Sequence, residues 1–484
     1  MNLLSRPSAF AKPTADRAST LSPSEGERDG VRGRLGGSSA QDAINVRGDL
    51  SLLSTSVERG TWDWTGGGFR EALVPFTSPT PPSWVRGSTT GVVAESRCAP
   101  AASSGQTALV FAITLRLTHN SIDSRMSTLH FAIVGCGGIT LQNHLPGLAL
   151  CREARVVALC DADAATLERA RQQTGVNIVS TNYEEIVQRD DVQAVIIATP
   201  NFTHAPIALA AIAAGKHVLC EKPLAMSGAE ARRMAEAADK AGVRHMTAFT
   251  YRFVPAMRYL AHLVKRGDPG QPYHYRSCRL QDWGTRSLGW RQVKKLAGTG
   301  ELGDMLSHRI DFAHLLVGPM KRLVANLKQW HPVRGGAPND LEDWAAILAE
   351  FQSGATGVLE SSKLASGRNE SWRSLDSVEL NGSERSFVFI TGEWNKLQSG
   401  KAGGPGLETI TIPEEFWKVP GSPRDPRQGD PLVTFRYDQA FEFIDAIRNR
   451  RPCVPSFHDG ARAQAVTDAA VKSAETKQWI EVPE

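Results

Sequence analysis

Between residues 129 and 249, short apolar runs alternate with helix-like stretches, and this rhythm constrains the fold more than any other feature. The runs are LHFAIVG, ARVVALCD, NIVS, QAVIIATP, KHVLCEK and VRHMTAF. Between them lie segments such as TLERARQQTG, YEEIVQRD, HAPIALAAIAAG and SGAEARRMAEAADKAG. Strands rich in Val and Ile, alternating with helices, predict a parallel sheet covered on both faces. Ser227 followed by Glu230 predicts a capped helix start, and Gly242 its stop. Six strands with five intervening helices make a complete doubly wound dinucleotide fold.

From about Pro255 the rhythm changes. The helix PAMRYLAHLVKRG leads to an extended QPYHYRSCRLQDW, and a second helix runs through GELGDMLSHRIDFAHLLVG. Hairpin pairs follow: WAAILAEF with TGVLESSKL across a Ser-Gly turn, and SVEL with SFVFI across Asn-Gly-Ser. Two late helices, DQAFEFIDAIRNRR and HDGARAQAVTDAAVKSAE, precede the end. The expected fold class is α/β, a doubly wound parallel sheet followed by an α+β domain with a mostly antiparallel, open-faced sheet.

The first 125 residues differ. They hold one lysine, Lys12, and none of the six tyrosines, and Ser, Gly, Pro and Arg dominate stretches such as SPSEGERDGVRGRLGGSS. Such a segment has too little apolar surface to offset the entropy of ordering. The expectation is a disordered extension, or upstream DNA read from a start chosen too early, with Met126 the natural beginning. The expected domains are therefore 1–125 outside the fold, 126–250 binding the dinucleotide, and 251–484 binding substrate and forming the oligomer.

A formal charge of +4 on 484 residues argues against a nucleic-acid surface. No apolar run is long enough to span a bilayer. Seven scattered cysteines without a C-x-x-C pair predict reduced thiols in a cytoplasmic protein.

Gly135, Cys136, Gly137, Gly138 and Ile139 follow the first strand and open a helix, where glycines let backbone approach a pyrophosphate. Thr140 stands where a third glycine is usual. Asp161 ends the second strand, placed to accept hydrogen bonds from a ribose or, alternatively, to cap a helix. No arginine follows it at once, which favours NAD over NADP. The spacing of 26 from Gly135 to Asp161 exceeds the usual ~20, which a longer first helix would absorb. Thr199, Pro200, Asn201 and His204 lie beyond the fourth strand, and Glu221, Lys222 and Pro223 beyond the fifth, all on the ligand-binding edge. Pro200 either breaks the strand or walls a nicotinamide ring. Lys222 beside a positive nicotinamide would lose its proton more easily and act on a hydroxyl undergoing oxidation, unless it forms a surface salt bridge with Glu221. Asp304 and His308 are four apart on a helix-like segment, with Asp311 on the same stripe. A histidine so placed is poised near neutral pH as a general acid–base; the plainer alternative is a helix-start aspartate and an ordinary polar histidine. No metal-ligand cluster is seen, and this chemistry needs none.

The glycine loop, ATPNFTH, EKPLA, YRFVPAM and GELGDMLSHRID together resemble the Gfo/Idh/MocA family (glucose–fructose oxidoreductase, inositol dehydrogenase, rhizopine catabolism), from about Ser127 to Glu484. The resemblance implies a Rossmann domain and three catalytic positions. Lys222 would contact the reacting hydroxyl, His308 would take its proton, and Asp304 would lie between them. It also implies that Tyr251 and Arg252 border cofactor and substrate. Where the family commonly has a glycine two residues after the aspartate, this chain has Leu306. The implied activity is NAD-dependent oxidation of a secondary alcohol of a sugar, cyclitol or sugar derivative, by a homodimer or homotetramer. The alternative is a glycoside hydrolase or epimerase with internally recycled NAD. Trp283, Trp290 and Arg291 either grip a sugar or serve as core or interface groups.

Overall fold

The computed structural model describes residues 128–370, 375–390 and 392–483. The expectation for 1–125 falls outside these. Six strands, β1 (Leu129–Val134), β2 (Ala154–Cys160), β3 (Ile178–Ser180), β4 (Ala194–Ile197), β5 (His217–Cys220) and β6 (His245–Thr247), form one parallel sheet in the order β3-β2-β1-β4-β5-β6. The helices are α1 (Leu145–Ala149), α2 (Ala164–Thr174), α3 (Tyr183–Val187), α4 (His204–Ala213) and α5 (Gly228–Ala241). β4 is buried at every position, as a strand covered on both faces must be. Ser227 accepts from the Glu230 N–H and left-handed Gly242 ends α5, as its sequence predicts.

A second sheet has nine strands. After α6 (Pro255–Arg266) come β7 (Pro272–Leu280), α7 (Lys294–Ala297), α8 (Ser307–Leu316) and β8 (Met320–Lys328). A small hairpin, β9 (Val333–Arg334) and β10 (Ala337–Pro338), stands apart. Then follow β11 (Trp344–Phe351), β12 (Thr356–Ser362), β13 (Leu375–Gly382), β14 (Arg385–Ile390), β15 (Lys396–Lys401) and β16 (Glu408–Thr411). The chain closes with α9 (Pro431–Thr434), α10 (Asp438–Arg448), α11 (Phe457–Thr476) and β17 (Ile480–Glu481). The order is β16-β15-β14-β13-β7-β12-β11-β8-β17, antiparallel except where β12 runs parallel to β7. Both expected hairpins are present, β11 with β12 and β13 with β14.

The late helices tie the sheets together. Phe443 on α10 meets Phe131 of β1 edge-on at 6.1 Å. On α11, Phe457 and Ala461 join the core under the first sheet, while Val466 and Ala470 join the core under the second. Arg252, just past β6, pairs with Asp311 of α8 at 2.5 Å, and Arg309 of α8 pairs with Asp376 of β13 at 2.6 Å. These buried pairs fix α8 against both halves.

Candidate active site

The site forms where strand order reverses between β1 and β4, at the carboxyl ends of the first sheet. Gly135 adopts φ +95, and a Cβ there would lie 2.4 Å from the Ala198 carbonyl oxygen, so only glycine permits this turn. The Thr140 hydroxyl, in the place of the third glycine, donates to Gly135 O at 2.6 Å and is fully buried. The imperfect fingerprint is thus replaced by a hydrogen bond. The Cys136 N–H donates to Asp161 Oδ2 at 2.7 Å, tying the loop to the end of β2. The helix-cap alternative for Asp161 falls instead on Asp163, which accepts the Thr166 N–H at 2.8 Å. The long Gly135–Asp161 spacing is not absorbed by a longer α-helix: a π-helical turn, Thr140–His144, precedes the short α1. Nothing lies within 4 Å of where a Gly137 Cβ would be. That bare, open backbone beside Asp161 fits the pyrophosphate and ribose of NAD.

A cleft of about 200 Å³ runs from this loop to the second domain. It brings together Gly137, Gly138 and Ile139, Thr199 and Asn201, Glu221 and Lys222, and Trp290, Arg291 and Asp304. Glu221 and Lys222 form no salt bridge with each other. His144 Nε2 lies 2.9 Å from Glu221 Oε1, while Lys222 Nζ donates to the Asp304 carbonyl at 2.5 Å and to Oδ1 at 3.1 Å. Burial alone would raise the Glu221 pKa, but the His144 hydrogen bond and charge, then Lys222, hold it below its ordinary value. The Lys222–Pro223 bond is cis.

His204 sits behind the lining, fully buried, with Nδ1 2.9 Å from Pro223 O and Nε2 2.9 Å from Thr199 O. It therefore joins the two loops. A neutral ring has one N–H for these two carbonyls, while burial lowers its pKa and opposes the charged ring that would serve both.

Asp304 lies in a second π-helical turn, Leu302–Leu306, which leads into α8. A Cβ at Gly303 would lie 2.3 Å from Thr299 Oγ1 and 3.4 Å from Pro223 Cγ, so glycine brings this turn down onto the EKP loop. Leu306 is buried in the second core, where its side chain anchors the turn. Burial would raise Asp304, but Lys222 and then Lys363 hold it well below the usual carboxylate range.

Several expectations need correction. His308 is not poised near neutral pH: burial, then Lys222 and Arg309, push its pKa well below the ordinary histidine value. It does not line the cleft, being 3% exposed, with Tyr251 edge-on at 4.5 Å and Nδ1 sealed without a partner. Asp311 does not join Asp304 at Lys222 but turns to Arg252. Arg252 is likewise committed to Asp311 and Asp459 rather than open to a ligand. Trp283 is also absent from the cleft lining and stacks under Arg286 at 4.5 Å, whereas Trp290 lines the cleft with Arg291 stacked on it at 4.3 Å. Pro200 stands between Thr199 and Asn201 without lining the cleft, and Tyr251 is buried against His308.

Sequence reasoning missed His144, Glu301, Glu342 and Lys363. None has a local signal, since each acquires its role from a partner at least 40 residues away or from burial. Among the described residues, Asp239, His245 and His458 have metal-like spacing. However, the Phe457 N–H donates to His245 Nδ1 at 3.0 Å, which leaves hydrogen on Nε2 facing Asp239.

Residues 129–249 match the family described as "Oxidoreductase family, NAD-binding Rossmann fold", and residues 262–482 match its C-terminal alpha/beta domain. The chain belongs to the Gfo/Idh/MocA family. It is an NAD-binding oxidoreductase. Levoglucosan dehydrogenase of Pseudarthrobacter phenanthrenivorans is 33% identical over 357 residues, covering 67% of this chain and 89% of that protein. Myo-inositol 2-dehydrogenase of Thermotoga maritima is 26% identical over 358 residues, covering 74% and 99%. A solved levoglucosan dehydrogenase in complex with NADH and levoglucosan has a TM-score of 0.68 at 31% identity, covering 74% of this chain and all of that one. These relatives are named as dehydrogenases, and nothing among them supports the glycoside-modifying alternative.

Proposed function

We propose that the chain oxidises a secondary alcohol of a sugar, cyclitol or sugar derivative, with Lys222, Asp304 and His308 as its catalytic residues. The observation that carries this is Lys222 Nζ, held by Asp304 in the cleft that begins at the glycine loop. The loop Gly135–Ile139 and Asp161 would hold NAD, whose nicotinamide supplies the hydride acceptor. Lys222 Nζ hydrogen-bonds the reacting hydroxyl oxygen and fixes its position beside Asp304. The hydroxyl proton is assigned to His308, whose ring burial keeps neutral in the resting site while disfavouring its charged form. Of its ring nitrogens Nδ1 is sealed, so Nε2 takes the proton. Trp290 and Arg291 form the wall against which a sugar ring would lie.

The division into 126–250 and 251–484 is supported by the two sheets. A homodimer or homotetramer is supported by the outward face of the second sheet, where Leu348 is 45% and Ile390 42% exposed beside half-buried Val358 and Val388. Six free thiols among the described residues support a cytoplasmic location. No described helix is long and apolar enough to cross a membrane.

The test is NADH formation by the full chain across polyols, inositols, sugars and sugar acids. Turnover with one class is expected. Silence with NADH still bound would overturn the dehydrogenase reading, and silence without binding would overturn the cofactor site as well.

A further inference from the structure

Lys363 follows β12 and is almost wholly buried, at 1% exposure. Its Nζ lies 2.8 Å from Glu301 Oε2 and 3.3 Å from Asp304 Oδ2. Glu301 is fully buried and also accepts from the Ser361 hydroxyl. Burial pulls the Lys363 pKa down, but Glu301 and then Asp304 outweigh it and keep the ammonium charged. The Asp304 carboxylate is thus divided. Oδ1 faces Lys222 at 3.1 Å, while Oδ2 is buried without a hydrogen bond and is compensated by the Lys363 charge. Two lysines and two acids alternate from the cleft into the core.

The segment that carries Asp304 is anchored from the same side. Glu342 Oε1 accepts the Gly300 N–H at 2.7 Å and the Leu302 N–H at 3.1 Å, and a Cβ at Gly300 would lie 2.2 Å from Glu342 O. The turn therefore has little freedom, and the remaining freedom is the rotation of the Asp304 carboxylate. A buried cation that costs several kcal/mol to desolvate persists here in contact with a cleft residue.

We propose that Lys363 is a positioning residue for the reaction: by holding Oδ2 of Asp304 it turns Oδ1 to Lys222 and so aims the lysine at the substrate hydroxyl. This rests on the dehydrogenase reading above. Loss of that contact lets the carboxylate rotate, so that Lys222 keeps only the Asp304 main-chain oxygen and shifts from the hydroxyl; a misplacement of about 1 Å is worth roughly 10²-fold in rate.

Replacing Lys363 alone would strand the Glu301 charge in the core, so the test uses Glu301→Gln with Lys363→Met in the full chain. The pair is made in the parent and in an Asp304→Asn background, and kcat, KM, NADH binding and melting midpoint are read for all four proteins. The expected result is kcat lower by roughly 10²-fold in the parent background, with NADH affinity held within about twofold. In the Asp304→Asn background the pair should change kcat by less than about threefold, because the carboxylate it positions is gone. Equal losses in both backgrounds would mean a merely structural role and would overturn the proposal, as would a parent-background kcat within about threefold. If the parent turns over no substrate, the dehydrogenase reading fails separately. The melting cycle then decides the contact: non-additive midpoints support it, and additive midpoints overturn it.

Discussion

Gly135 and Gly137 sit two residues apart in one loop, yet the structure assigns them different duties, and alanine separates them. At Gly135 the added Cβ meets two costs. The left-handed φ of +95 disfavours any L side chain by about 1–2 kcal/mol. The Cβ also strikes backbone, 2.4 Å from Ala198 O and 2.8 Å from Thr199 N, which cannot rotate away; overpacking of this kind costs about 1–3 kcal/mol. Gly135→Ala should therefore lose about 2–5 kcal/mol, a large share of the 5–15 kcal/mol typical of a domain. At Gly137 nothing lies within 4 Å of the added atom, and φ is not left-handed. Gly137→Ala should leave stability within about 0.5 kcal/mol. Its Cβ would instead occupy the space of the pyrophosphate and remove a charge-assisted hydrogen bond worth about 1.5–3 kcal/mol, or roughly 10- to 100-fold in NADH affinity. Guanidinium denaturation and NADH fluorescence titration measure the two quantities on each variant. If Gly137→Ala binds NADH as the parent does, the assignment of the open loop to the cofactor is wrong. Equal destabilisation by both variants would show that the loop geometry is misread.

Lys222→Ala should lower kcat by about 10²–10⁴-fold while NADH binding persists, since the side chain acts on the hydroxyl; joint loss of both in kinetic and binding assays would make the lysine structural. His204→Leu removes the one N–H that the neutral ring supplies to the Thr199 and Pro223 carbonyls, at about 1–3 kcal/mol for the carbonyl left buried without its donor. Its denaturation midpoint should fall and its NADH affinity weaken, and an unchanged midpoint would dissolve the proposed link between the loops. The pH dependence has a definite sign. The folded pKa values of His204, His217, His245 and His308 are all depressed, chiefly by burial, so at these four side chains the folded chain binds fewer protons than the unfolded one below pH 6.5. This stability is fully present above pH 6.5 and is lost as pH falls through the folded values, which for His217 is about 4. Between parent and His308→Gln, denaturation midpoints at pH descending from 6.5 should fall less steeply in the variant; parallel curves would mean His308 is not held neutral by the fold.

Most of the first domain was determined by local sequence. A strand covered on both faces must be apolar throughout, so QAVIIATP and KHVLCEK announce β4 and β5, and Gly135 marks a backbone that other residues cannot adopt. The placing of Lys222 followed from those strands, because the ends of parallel strands share one edge. What only the tertiary structure decided is which charges meet. Asp304 and Asp311 lie on one helix-like segment, yet a π turn and α8 send the first to Lys222 and Lys363 and the second to Arg252. Lys363 follows a strand and stands 59 positions beyond Asp304, and nothing in its neighbours marks it. Helical or strand periodicity reports which face a residue takes toward water, since that is settled within a few residues. Pairing and desolvation are settled by chain segments brought together from far apart, and they decided that His308 is neutral, that Arg252 is a strut, and that Asp304 has two lysines to answer.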